Sequence, residues 1–272
     1  MYNIEVWRDI MLDFEYAKTV FLDFINQYDT NDASILQKKN HTLRVVENSD
    51  FLAKSLHLSE EDRELAKIIA LFHDIGRFSQ IKQFGNMHDY ETLNHAELGA
   101  HILFEEGMIS KFVEDRKYDS IIKKAILIHN QYQIPQEVFT ERELLHIKMI
   151  RDADKMDSFY GKAIDDIYAI SQVTKEEVEN STISEHIYEC ILNQKTIISK
   201  ERVTPADIWV SYLAFVFDFN YSFSLIPILE NDYINKIIDR FDYQIKDTKE
   251  KMENIRKLIL EYVNDKVKPI QK

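Results

Sequence analysis

Glycine and proline are scarce in this chain, with 5 and 4 among 272 residues. A β-sandwich or doubly wound α/β fold of this length needs more turn glycines than that. Cys190 is the only cysteine, so no intramolecular disulfide can form and no zinc-type cysteine cluster exists. A reducing compartment, the cytoplasm, is the expected setting. Basic charge is also short: 34 Lys and Arg face 47 Asp and Glu, a net charge of −13. Long nucleic acids are disfavoured as partners, because phosphate contacts need basic patches. A small phosphorylated ligand is not, since a bound metal can neutralise it locally. No apolar run approaches the length of a membrane span, and no basic-then-apolar leader is visible, so neither membrane span nor signal peptide is expected.

What the chain has is aromatic and aliphatic mass at helical spacing. There are 16 Phe and 14 Tyr, and 45% of residues are hydrophobic. The pattern predicts an all-α fold read as a single helical body, with a core over about 36–170 and a helical C-terminal extension over about 171–272. Residues 8–28 read as a first helix and 41–57 as a second. Ser59 followed by three acids starts a third, over about 60–75, that is apolar on nearly every side and belongs in the core. Gly76 is expected to end it, and 77–93 reads as an irregular polar loop. Asn94 caps a helix over about 95–106, closed by Gly107. Further helices cover about 117–131 and 140–171. Pro205 marks a helix start, and Asp239 to Val263 forms a charged last helix with a stripe of Ile245, Met252, Ile255 and Ile259. That stripe could pack on its own chain or on a second copy, leaving a homo-oligomer open.

The chemistry begins at His73-Asp74, on the buried helix. A carboxylate and an imidazole in a core are costly unless paired or bound to a metal. The dipeptide alone is weak, since His88-Asp89 repeats it in a polar loop. Three more histidines lean inward, each on its own helix: His41 with Val45 and Leu52, His95 with Gly99 and Ile102, and His129 with Ile122, Ala125 and Ile126. Any one of them alone reads as a hydrogen-bonded core histidine. Together with His73-Asp74 they point to a metal site. In the acidic run Arg151 to Asp157, periodicity puts Asp152 nearest the apolar stripe of Leu145, Met149, Ala153 and Met156. The plain alternative is a solvated acidic face paired locally with Arg151 and Lys155.

His41, His73-Asp74 and the Asp of Ala-Asp-Lys-Met (153–156) resemble the ordered H…HD…D signature of the HD superfamily of metal-dependent phosphohydrolases. His-Asp-Ile-Gly-Arg-Phe (73–78), Asn-His-Ala-Glu-Leu-Gly-Ala (94–100), Ile-His-Asn (128–130) and Arg-Asp-Ala-Asp-Lys-Met-Asp (151–157) are similar to a bacterial subgroup of it. The resemblance covers about residues 36–165. It implies a helical bundle around His41, His73, Asp74 and Asp154 as metal ligands, with Asp152 behind them. It implies that His95 and His129 hold a second metal or contact substrate phosphate. Arg77 replaces the lysine common at its position and is a candidate substrate-phosphate contact. Arg44 and Lys155 are further candidates that read equally well as structural cations. Such a ligand set suits Mn, Fe, Co, Ni or Zn, as one or two ions. The expected activity is hydrolysis of a nucleotide or other small phosphoester by a metal-activated water, with Asp74 as the catalytic acidic group. A regulatory HD module that binds a phosphorylated ligand without turnover is the competing expectation, and a purely structural helical protein is another.

Overall fold

The helix starts are written in short polar side chains. In the computed structural model, which describes residues 12–87, 89 and 92–270, the Asp13 carboxylate accepts from the Tyr16 N–H and opens α1 (Phe14–Ile25). Asp32 opens α2 (Ala33–Ser55) in the same way, and Ser59 opens α3 (Glu60–Phe72) with three acids in its first turn, at the positive end of the dipole. Residues 8–11 of the expected first helix, and His88, lie outside the described residues. The chain is 70% helical, with no strand among the described residues.

The chain divides into two units, one ending at Ile150 and one beginning at Arg151. In the first, α3 is the central element, buried from Leu65 to Phe72 except for Lys67, with α1, α2 and α7 against it. Here the expected single helix over 60–75 breaks. It ends at Phe72, the chain turns at His73-Asp74, and a new helix, α4 (Ile75–Phe84), begins. Asp74 has φ −109° and ψ 15°, outside the helical region, so the turn falls on the polar pair. The expected loop over 77–93 is therefore helical as far as Phe84, and Gly85, at φ 69°, closes α4.

Gly76 does not stop a helix; it allows two backbones to touch. Asn94 caps α5 (His95–Ala100) as expected, accepting from the Ala96 N–H. A β-carbon on Gly76 would sit 2.6 Å from the Gly99 nitrogen and closer still to the His95 carbonyl oxygen. A β-carbon on Gly99 would in turn sit 3.3 Å from the Gly76 nitrogen. From α5 the chain passes through one π-helical stretch, His101–Glu105, then α6 (Ile109–Phe112), α7 (Asp119–Ile128) and α8 (Glu141–Ile164). Helix α8 starts in the first unit and ends in the second.

The second unit continues with α9 (Ile167–Ser171), α10 (Lys175–Glu179), α11 (Glu185–Leu192), α12 (Pro205–Val210), α13 (Ile226–Glu230), α14 (Tyr233–Ile238) and α15 (Lys246–Val267). Its own core includes Trp209, Ile187, Ile191 and Ile237. Pro205 stands at the expected helix start, behind a Thr204–Asp207 capping box. Met252, Ile255 and Ile259 of the expected C-terminal stripe are buried in that core. Among the described residues no helix is long and apolar enough to cross a membrane.

The Gly76 contact makes a direct prediction. Gly76→Ala has only backbone to displace, so it should cost about 3 kcal/mol of stability, read as a lowered midpoint in denaturant unfolding. A variant of wild-type stability would show that α4 and α5 are not in backbone contact.

Candidate metal centre

Four elements of the first unit each carry a histidine to one place. His41 projects from α2, His73 follows the end of α3, His95 is the first residue of α5 and His129 follows the end of α7. All four are buried, as is Asp74, which is 3% exposed. The break after Phe72 turns Asp74 in among them.

The histidines meet in two pairs. His41 Nε2 lies 3.2 Å from His73 Nε2, and His95 Nε2 lies 3.1 Å from His129 Nε2. Asp74 faces both pairs, one oxygen to each. Its Oδ2 is 3.4 Å from His41 Nε2 and 3.6 Å from His73 Nε2. Its Oδ1 is 3.2 Å from His95 Nε2 and 3.8 Å from His129 Nε2. Within the first unit, two overlapping groups thus have the donor set and closeness to hold a metal ion: His41, His73 and Asp74, and Asp74, His95 and His129.

The far side of each ring says which nitrogen carries its proton. His73 Nδ1 donates to the Ala70 carbonyl at 2.7 Å, and His129 Nδ1 to the Ile126 carbonyl at 2.6 Å. A carbonyl oxygen can only accept, so Nδ1 of each ring carries a proton, and the neutral form of each ring turns the Nε2 lone pair inward. His95 Nδ1 is 2.7 Å from Asp89 Oδ2, which fixes that ring in the same sense. With both rings neutral, the second pair sets lone pair against lone pair. That arrangement is repulsive without positive charge to share. Two nitrogens bound to one ion at about 2.1 Å stand about 3.0 to 3.4 Å apart at cis angles, which both observed separations match. The residues fit a divalent metal.

Lys38, one turn before His41 on α2, was not singled out from the sequence. Its Nζ lies 2.7 Å from Asp74 Oδ2, with the lysine side chain 15% exposed. Burial would push the Asp74 carboxyl up, but Lys38 first and the imidazoles after it outweigh burial and hold it well below the usual carboxylate range. The carboxylate stays ionised in the core. The i, i+3 spacing to His41 was the available signal for Lys38.

Asp89 is the second residue missed. Its Oδ1 takes Arg77 NH1 at 2.7 Å and Gln80 Nε2 at 3.1 Å. Arg77 NH1 also donates to Gln80 Oε1 at 2.6 Å and to the Met87 carbonyl at 2.7 Å. The Arg77 Nε is buried without a hydrogen-bond partner, 3.7 Å from Asp74 Oδ1. Arg44 is half-buried, one turn beyond His41 on α2.

In the second unit, the two rival acids of α8 have different surroundings. Asp152 is fully buried and accepts from the Asn220 N–H at 2.9 Å, Asn220 Nδ2 at 2.8 Å, the Tyr221 N–H at 2.9 Å and Ser224 Oγ at 2.7 Å. Burial raises its carboxyl above the usual range in spite of these donors. Periodicity had placed Asp152 on the apolar side, and there it organises the chain at 220–224. Asp154 is half-buried. Lys155 pairs with Asp218 at 2.8 Å, and Arg151 with the same oxygen at 2.9 Å.

The Lys38–Asp74 pair can be tested without substrate. Lys38→Met should leave a buried carboxylate uncompensated and lower the stability of chelator-treated protein by about 3 kcal/mol. Added Mn²⁺ should recover most of that loss. Thermal unfolding with and without chelator reads both effects, and a variant as stable as wild type under chelator would show that Lys38 does not hold Asp74.

Comparison with known families adds an independent line. Residues 39–158 match the family model of the HD domain, a stretch that includes His41, His73, Asp74, His95, His129 and Asp154. No curated protein matches the chain, and neither does any solved structure. HD domains are in general metal-dependent hydrolases, which agrees with a buried His/Asp cluster fit for a metal. The likeness to an HD domain thus covers residues 39–158, a little under half of the chain.

Proposed function

We propose that this chain hydrolyses a nucleotide or other small phosphoester at a centre of two divalent ions drawn from Mn, Fe, Co, Ni or Zn. The observation that carries the reading is Asp74, with one oxygen 3.4 Å from His41 and the other 3.2 Å from His95. One carboxylate facing two histidine pairs would offer an oxygen donor to an ion at each. His41, His73, Asp74 and Asp154 would hold the first ion, and Asp74, His95 and His129 the second. The family motif favours Asp154 over Asp152, whose carboxylate is already taken by four donor groups of the 220–224 segment.

Bound ions would supply polarisation of the phosphoryl group and activation of a water. The protein's own groups do the rest. Backbone carbonyls at Ala70 and Ile126 keep the lone pairs of His73 and His129 turned inward. Asp74, kept ionised, accepts a hydrogen bond from the attacking water and orients it. Arg77 is anchored through NH1, which leaves its buried Nε on the Asp74 side to hold a non-bridging phosphoryl oxygen. Lys38, partly exposed, adds positive charge where the substrate's phosphate meets an otherwise acidic chain. The net charge of −13 favours a small substrate over a long polyanion.

The test is a screen of phosphomonoesters, cyclic nucleotides and dinucleoside polyphosphates with Mn²⁺, Co²⁺ and Ni²⁺. Turnover should vanish with chelator and return with metal. His73→Ala and Asp74→Ala should each lose turnover by at least about 1000-fold along with bound metal. Metal-dependent hydrolysis retained by either variant would sink the reading. Ion uptake with no turnover on any of these substrates would favour a ligand-binding HD module instead.

A further inference from the structure

His73 and His129 are oriented by carbonyls of the helices they follow, each three residues earlier in the chain. Those acceptors come with the helix and need no other part of the protein. His95 has no such acceptor, because it is the first residue of α5 and the chain before it is not helical. Its Nδ1 is held instead by Asp89, at 2.7 Å, from the segment between α4 and α5.

Asp89 is itself held firmly. Its Oδ1 takes Arg77 NH1 at 2.7 Å, Gln80 Nε2 at 3.1 Å and the His95 N–H at 3.4 Å. Its Oδ2, the oxygen on His95 Nδ1, also takes Asn130 Nδ2 at 3.4 Å. Gln80, fully buried, fastens the end of the same segment through Thr92 Oγ1 at 2.7 Å and the Leu93 carbonyl at 2.8 Å. One oxygen thus anchors the carboxylate, and the other aims the imidazole. A carboxylate behind a histidine fixes its tautomer and strengthens the opposite nitrogen as a ligand. Of the ligand histidines, Asp89 aims His95, so its direct influence falls on the pocket that holds His95.

We infer that Asp89 is a positioning residue for His95 and sets the occupancy of the Asp74–His95–His129 pocket independently of the His41–His73–Asp74 pocket. The inference rests on the two-ion reading above and gives the two pockets different dependencies. His73 of the first is aimed by a helix carbonyl, whereas His95 of the second is aimed by a carboxylate delivered by the α4–α5 connection.

Calorimetric titration of the full chain with Mn²⁺ alone, paired with metal counting, tests it. Wild type should take two ions. Asp89→Asn and Asp89→Ala should bind the second ion about 10- to 100-fold more weakly, and the first within about twofold of wild type. Unchanged helical content and an unchanged first site would show that the variants fold. Imidazole ¹⁵N–¹H correlation of metal-free protein gives a readout apart from binding. His95 should leave the Nδ1–H form in Asp89→Ala, while His73 and His129 keep it. Two ions at wild-type affinity in Asp89→Ala, or equal weakening of both, would overturn the inference and leave the two-ion reading standing. Fewer than two ions in wild type would overturn that reading and the inference with it.

Discussion

An ionised carboxylate in a helical core is the constraint around which the first unit is arranged. Asp74 is 3% exposed, and a buried charge of that kind is tolerated only with compensation on every side. Lys38 provides the nearest positive charge, and four imidazoles surround the two oxygens. To place the carboxylate there, the chain breaks its most apolar helix at His73-Asp74 and starts another one residue later. The break, the cation from α2 and the histidines from α5 and α7 are consequences of burying one negative charge.

The rings around it are held by unequal means, and the inequality has chemical meaning. A carbonyl of a regular helix is a fixed acceptor, available as long as the helix exists. A carboxylate from a connecting segment is a stronger acceptor but depends on its own supports, here Arg77 and Gln80. Arg77 therefore stands at a junction, with NH1 on Asp89 and Nε toward Asp74. Its guanidinium connects the support of one histidine with the carboxylate that faces all four.

How legible all this was depended on whether a residue's neighbours in sequence were also its neighbours in space. His73-Asp74 stood out because charge on an apolar helix is anomalous. The four histidines followed from helical spacing, and the structure brings all of them to one cluster. The helix over 77–84 was hidden because Gly76 reads as a terminator, whereas its role is a close approach to α5. Asp152 shows periodicity giving the right face: it is buried, in service of the 220–224 segment. Asp89 was passed over as the weaker of two His-Asp pairs. Nothing in a polar loop says which acid will fold back; the usable clue was that His95, first in its helix, would need an acceptor from outside.

The glycine contact between α4 and α5 bears on how freely such a centre can be altered. Gly76 is two residues from Asp74, and its closest neighbour is the carbonyl of His95 itself. The distance between the shared carboxylate and the second histidine pair is thus a property of the main chain. Exchanging side chains of the cluster would change the hardness of its donors, but the gap between the two histidine pairs would stay where the two backbones meet. Tuning that gap, for a larger ion or a longer bridge, would mean separating two helices and not replacing a residue.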